Sequence, residues 1–74
     1  MEFYEWETEG DIGEAAGIVV AGRLLEMMVM PMPEGVDVDV VDGAEVVWNG
    51  VLPDMMTAKA EAIAQARRAS FRVV

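Results

Sequence analysis

The most regular alternation of hydrophobic and polar residues lies in the sequence VDVDVVDGAEVVWNG, residues 36 to 50. Its valines alternate with Asp37 and Asp39, and this period of two is typical of a strand with one buried face. Asp42 and Gly43 follow, and this pair favours a two-residue type I′ turn, in which both central positions need a positive φ. The segment therefore predicts a β-hairpin with its turn at Asp42-Gly43.

The position of this turn decides which side chains share a face of the hairpin. A two-residue turn formed by Asp42 and Gly43 places Asp37 opposite Trp48. The same register places Asp39 opposite Val46, and opposed residues of antiparallel strands share a face. One face is therefore expected to combine two carboxylates with an indole and a valine. The other face is expected to carry the valines Val36, Val38, Val40 and Val47.

The N-terminal segment Glu2 to Thr8 alternates acidic residues with bulky ones and predicts a first strand. Tyr4 and Trp6 share one face of this strand. We expect them in the core because aromatic side chains supply much of the apolar area of small cores. Glu5 and Glu7 share the other face, which is expected to be exposed to solvent.

Residues 12 to 30 are almost continuously apolar and predict a helix that is buried on more than one side. Asp11 supplies an N-cap, and Glu14 follows three residues later, as in a capping box. The glycines and β-branched residues of the segment weaken helix propensity, so two strands separated near Ala21-Gly22 remain an alternative. The segment runs into a cluster of adaptable thioethers, for which we expect a core or dimer contact. The members of this cluster are Met27, Met28, Met30 and Met32.

The C-terminal part of the chain predicts a second helix, with Asp54 or Thr57 as its N-cap. Its apolar residues recur at helical spacing, and Arg67 and Arg68 in the last turn complement the helix dipole. The predicted apolar stripe consists of Met56, Ala60, Ile63 and Ala66. Residues 71 to 74 are expected to add a short closing strand.

Strand, helix, hairpin, helix and terminal strand give the order βαββαβ, which is that of the ferredoxin-like split β-α-β arrangement. We therefore predict one α+β domain over residues 1 to 74, with a four-stranded antiparallel sheet and two helices on one face. The open face would then carry the predicted partner-binding residues Glu5, Glu7, Asp37, Asp39, Val46 and Trp48. The alternative fold is a mainly-β meander with one C-terminal helix.

The net charge of −9 is unevenly distributed along the chain. Residues 1 to 54 hold thirteen acidic residues and one basic residue, which leaves −12, whereas residues 55 to 74 hold four basic residues and one acidic residue, which leaves +3. A field that is mostly negative repels nucleic acid and anionic membranes and attracts basic surfaces. We therefore expect a basic protein partner, no direct nucleic-acid binding and no membrane binding.

The residue types needed for several kinds of catalysis are missing from the sequence. It has no cysteine and no histidine, which removes thiolate chemistry and leaves its one serine, Ser70, without an imidazole to activate it. Asp37 and Asp39 match the first two ligand positions of an EF-hand loop. The third position is Val41, and Trp48 occupies the place of the bidentate glutamate. We expect no enzymatic activity, no cofactor and no metal site.

Two functions are compatible with this pattern. The first is a small acidic interaction protein, such as a phage- or bacterium-encoded inhibitor or nucleic-acid mimic, that docks on a basic protein with Trp48 as its anchor. The second is a homodimeric structural or regulatory module with a ligand or partner at the subunit junction. A homodimer is expected because a chain of 74 residues buries only about 60% of its unfolded surface. The acidic N-terminal segment lacks the features of a secretory signal, so we expect a cytoplasmic protein of a bacterium or a phage-infected cell.

Overall fold

The computed structural model describes residues 2 to 70. These residues form five strands and one helix: β1 (Glu2–Glu9), β2 (Gly13–Val20), β3 (Arg23–Met32), β4 (Gly35–Asp42), β5 (Glu45–Leu52) and α1 (Met55–Ser70). The strands form one antiparallel sheet in the order β1-β2-β3-β4-β5, so strands that follow one another in sequence are neighbours in the sheet. Helix α1 packs on one face of this sheet, chiefly against β3 and β4.

The predicted ferredoxin-like sheet of four strands with two helices is wrong, and the alternative, a β meander with one C-terminal helix, is the observed fold. The error lies in residues 12 to 30, most of which belong to β2 and β3. Strand β3 alternates the buried residues Leu25, Met27 and Val29 with exposed ones. Because most of the exposed ones are also leucine or methionine, the hydrophobic pattern along the chain hides the period of two.

A two-residue turn at Ala21 and Gly22 joins β2 to β3. Both residues have a positive φ, +54° for Ala21 and +77° for Gly22, as in the type I′ turn whose twist matches that of the flanking strands. Val20 and Arg23 pair across the turn. Between residues 2 and 70, Ala21 is the one residue other than glycine with a positive φ, and its Cβ makes this conformation unfavourable.

The core lies between the sheet and α1. The helix contributes Ala58, Ala62 and Ala66, which are fully buried and four residues apart, so they stand on one face of the helix. Their small side chains let the helix approach the sheet closely. The predicted stripe is therefore wrong at Met56 and Ala60, which are exposed. The largest fully buried side chains of the sheet are Ile18, Leu25, Met27, Val29, Val38 and Val40.

The start of the helix agrees with the sequence. The backbone N–H of Thr57 donates a hydrogen bond to Oδ1 of Asp54 at 2.8 Å, so Asp54 is confirmed as the N-cap of α1. The predicted closing strand at residues 71 to 74 lies outside the described residues. Between residues 2 and 70, no helix is long and apolar enough to cross a lipid bilayer.

The substitution Ala21→Asn is expected to stabilise the protein. It gives the β2–β3 turn the Asn-Gly sequence that type I′ turns favour, because asparagine tolerates positive φ better than alanine. Urea denaturation should show an increase in the free energy of unfolding of about 0.5 to 1 kcal/mol. Ala44→Asn is the matched control, since Ala44 also lies in a two-residue turn but lacks a positive φ. Equal gains at the two positions would contradict the special role of Ala21.

The N-cap predicts how the stability of α1 depends on pH. The hydrogen bond from the backbone of Thr57 holds the pKa of Asp54 below its usual range. A carboxylate with a lowered pKa in the folded state stabilises that state near neutral pH, and this contribution disappears as pH falls through the lowered pKa. Asp54→Ala should therefore lower the Tm near neutral pH, and the difference from wild type should shrink in acid. Asp54→Asn keeps an acceptor oxygen and should lose less.

Candidate functional site

The β4–β5 hairpin differs from the predicted register in two ways. Its turn consists of Gly43 and Ala44, one residue later than predicted, and Asp42 pairs with Glu45. A β-bulge follows, because the register shifts between the residues paired with Val40 and Val41. Together, the later turn and the bulge shift the pairing of β5 with β4 by three residues. Trp48, which was predicted opposite Asp37, therefore lies opposite Val40.

These shifts place Trp48 on the helix side of the sheet. Trp48 pairs with the fully buried Val40 and packs, partly buried, against the hydrophobic core. It does not lie beside Asp37 or Asp39, so its predicted placement on one face with these two aspartates is wrong. Val46 remains on the other side of the sheet, where it is 55% exposed.

The side chain of Asn49 takes the position beside the two aspartates. Asn49 pairs with Asp39 in the sheet. Its Nδ2 donates to Oδ1 of Asp39 at 2.7 Å and lies 3.2 Å from Oδ1 of Asp37. The amide therefore bridges two carboxylates that are two residues apart on β4. No pattern in the sequence indicates this contact, because Asn49 lies opposite Asp39 only after the turn shift and the bulge.

Glu5 and Glu7 lie far from the aspartates. They belong to β1, which is separated from β4 by β2 and β3, a distance of about 14 Å at about 4.8 Å per strand. The six predicted partner-binding residues thus do not form one cluster. Asp37, Asp39 and Val46 lie near one edge of the sheet, and Glu5 and Glu7 lie at the other edge.

We call the sheet face opposite α1 the open face. It combines exposed apolar side chains with carboxylates. Of its residues, Glu7, Asp37, Asp39 and Val46 were predicted on this face. The prediction is wrong for Tyr4, which was expected in the core and is 54% exposed, and for Leu24, Glu26, Met28 and Met30, which were expected in a helix and lie on β3. The open face includes Tyr4, Glu7, Ala15, Gly17, Val19, Leu24, Glu26, Met28, Met30, Met32, Asp37, Asp39, Val41, Val46, Asn49 and Val51.

The basic side chains of the described residues lie away from the open face. Arg23 pairs with Asp42 on the helix side, and Lys59 on α1 pairs with Glu14 at 2.8 Å. Nζ of Lys59 also lies 5.3 Å from the ring centroid of Trp6, a cation–π contact. The last turn of α1 holds two further arginines. Between residues 2 and 70, the open face therefore has carboxylates and no cation.

The new position of Trp48 can be tested through stability. Trp48→Ala should lower the free energy of unfolding by about 2 to 3 kcal/mol, because it removes a large side chain packed against the core. Val46→Ala removes an exposed side chain and should cost less than about 1 kcal/mol. Urea denaturation of both variants measures the contrast. Similar small effects for both would show that Trp48 does not pack against the core.

The open face offers an apolar surface with fixed negative charges. Between residues 2 and 70, no group of three or more acidic side chains is placed to hold a metal ion. No family model matches this chain, and no curated protein or solved structure matches it. What the face can do chemically is to exclude water over its apolar residues and to attract positive charge.

Proposed function

We propose that this protein is a small acidic binding protein that docks through its open face on a basic surface of another protein. The supporting observation is the combination of exposed apolar side chains and carboxylates on a face that carries no basic residue between positions 2 and 70. Charge complementarity guides the approach of a partner and suppresses unsuitable ones. The apolar residues contribute affinity once water is excluded.

The centre of the open face is suited to a partner of irregular shape. Met28, Met30 and Met32 are 36%, 38% and 46% exposed and lie in a row on the central strand β3. Methionine side chains are unbranched and polarizable, so they adapt to different contours. Asp39 lies beside Met28 and Asp37 beside Met30. Each aspartate can therefore meet a cation at the margin of the same contact.

The size of the open face limits the strength of such a complex. Five strands of about eight residues cover roughly 20 Å by 26 Å, or about 500 Å² of planar area. A standard interface buries about 800 Å² on each partner. If only the open face is buried, the complex should be transient and sensitive to salt.

Charge reversal on the open face provides the test. Asp37→Lys/Asp39→Lys should weaken binding to a purified basic protein domain at least about tenfold, or about 1.4 kcal/mol. Glu34→Lys/Glu45→Lys is the matched control, because it also changes the net charge from −9 to −5 but alters exposed positions outside the open face. Titration calorimetry against a panel of nucleic-acid-binding domains measures both variants. Competition with duplex DNA for the same domain would support the more specific role of nucleic-acid mimic or inhibitor.

Equal losses of affinity in both variants would indicate that only the net charge matters, and no loss in the aspartate variant would contradict docking through the open face.

The dependence on ionic strength distinguishes this proposal from a homodimer. Docking on a basic partner should weaken between about 0.1 M and about 1 M salt, as the Debye length falls from about 10 Å to about 3 Å. A homodimer that pairs two open faces should strengthen over the same range, because salt screens the repulsion between their carboxylates. Sedimentation at both salt concentrations measures this difference.

A further inference from the structure

Strands β1, β2 and β3 form a groove on the open face with a volume of about 360 Å³. The small residues Ala15 and Gly17 of β2 line it between the larger side chains of the neighbouring strands. Tyr4 of β1 and Glu26 of β3 are the register neighbours of Gly17 on its two sides. Their Cα atoms are therefore about 10 Å apart, at two strand spacings of about 4.8 Å.

The groove contains an aromatic ring in a defined position. A Cβ at Gly17 would lie 3.4 Å from Cδ2 of Tyr4 and 3.3 Å from Cδ1 of Leu24, so both side chains lie against the space that glycine leaves. Tyr4 is nevertheless 54% exposed. Its ring is thus supported by the sheet and also accessible to a ligand. An exposed tyrosine ring of this kind attracts a cation to its face.

Three glutamates line the same groove as this ring. Glu5 and Glu7 line the groove from β1, where a bulge shifts the register between Tyr4 and Glu7. Glu26 lines it from β3. No lysine or arginine between residues 2 and 70 lines the groove. The groove therefore combines negative charge and an aromatic surface, and both favour a cation.

We propose that this groove binds the guanidinium group of an arginine side chain from the basic partner. This inference rests on the proposed function and names the part of the open face that recognises a specific residue. A guanidinium group is planar, stacks on aromatic rings and donates two parallel hydrogen bonds to a carboxylate. Tyr4 supplies the ring, and Glu26 or Glu7 supplies the carboxylate. A lysine ammonium is compact and strongly hydrated, so it gains less from the ring.

The volume of the groove agrees with this assignment. Ligand pockets generally measure about 300 to 1,000 Å³, so a groove of about 360 Å³ suits one side chain better than a large ligand. Its open shape also admits a side chain that projects from a folded partner. The carboxylates then contribute selectivity for charge, and the tyrosine ring contributes selectivity for a planar cation.

The test uses three short peptides that differ in one residue: acetylated and amidated Gly-Gly-X-Gly-Gly, with arginine, lysine or citrulline as X. Citrulline keeps the planar shape of arginine without its charge. Amide and Tyr4 ring resonances are followed by NMR during titration of the whole protein. We expect the arginine peptide to shift resonances of Tyr4, Gly17 and Glu26. It should bind at least about threefold more tightly than the lysine peptide, and the citrulline peptide should cause no saturable shift.

Single substitutions distinguish binding in the groove from non-specific attraction of the peptide to an acidic protein. Glu26→Gln removes one charge with little change of shape, and Tyr4→Leu removes the ring while keeping an apolar side chain beside Gly17. Each should weaken binding of the arginine peptide at least about fivefold. Glu34→Gln is the matched control, since it removes one charge from an exposed position outside the open face, and it should change binding less than about twofold. If Tyr4→Leu fails to fold, the comparison of Glu26→Gln with Glu34→Gln still tests the arginine site.

Resonance shifts spread over all carboxylates, or equal effects of Glu26→Gln and Glu34→Gln on peptide binding, would overturn the arginine site. Failure of the arginine site and failure of docking through the open face give different results. If Asp37→Lys/Asp39→Lys abolishes binding of the basic partner while Glu26→Gln leaves it unchanged, docking on the open face stands and the arginine site is wrong. Loss of partner binding in Glu26→Gln together with loss of peptide binding supports both.

Discussion

The packing of a single alanine-faced helix on a five-stranded sheet is the interaction on which the rest of this structure depends. A helix is about 10 Å wide, whereas five strands span about 20 Å, so α1 covers mainly the central strands β3 and β4. The sides of the core are completed by Trp6 on β1 and Trp48 on β5, both partly buried against it. Each lies at or next to a β-bulge. The bulges therefore bring a large side chain from each edge strand to the flank of a narrow helix.

The same bulges decide which side chains remain for binding. Without the bulge in β5, Trp48 would not lie opposite Val40 on the helix side. With it, Asn49 lies opposite Asp39 and donates a hydrogen bond to it, and the face opposite the helix loses its indole. In β1, the bulge turns Trp6 toward the core and leaves Glu5 and Glu7 lining the groove. The same two bulges therefore determine which side chains complete the core and which side chains lie on the open face.

The sequence predicted those parts of the fold in which one face is polar. Valines alternating with Asp37 and Asp39 gave β4 and its two faces correctly, and Asp54 gave the start of α1. Strand β3 was missed because leucine and methionine lie on both of its faces, so no polar residues mark its period. The turn was placed one residue early because Asp-Gly is the commoner type I′ pair. Bulges leave no compositional signal, and they moved Trp48 to the helix side.

The exposed apolar residues of the open face favour self-association, and the carboxylates on the same face oppose it. Leu24 and the methionines Met28, Met30 and Met32 of β3 are exposed on this face, and two such faces could stack about 10 Å apart as in a β-sandwich. Glu26, Asp37 and Asp39 lie among these residues, so stacking two copies would bring carboxylates close to carboxylates in a desolvated contact. The cost of burying like charges opposes such a pair. A partner with cations at the same positions removes that cost, so the charges that oppose self-association support the docking on a basic partner that we propose.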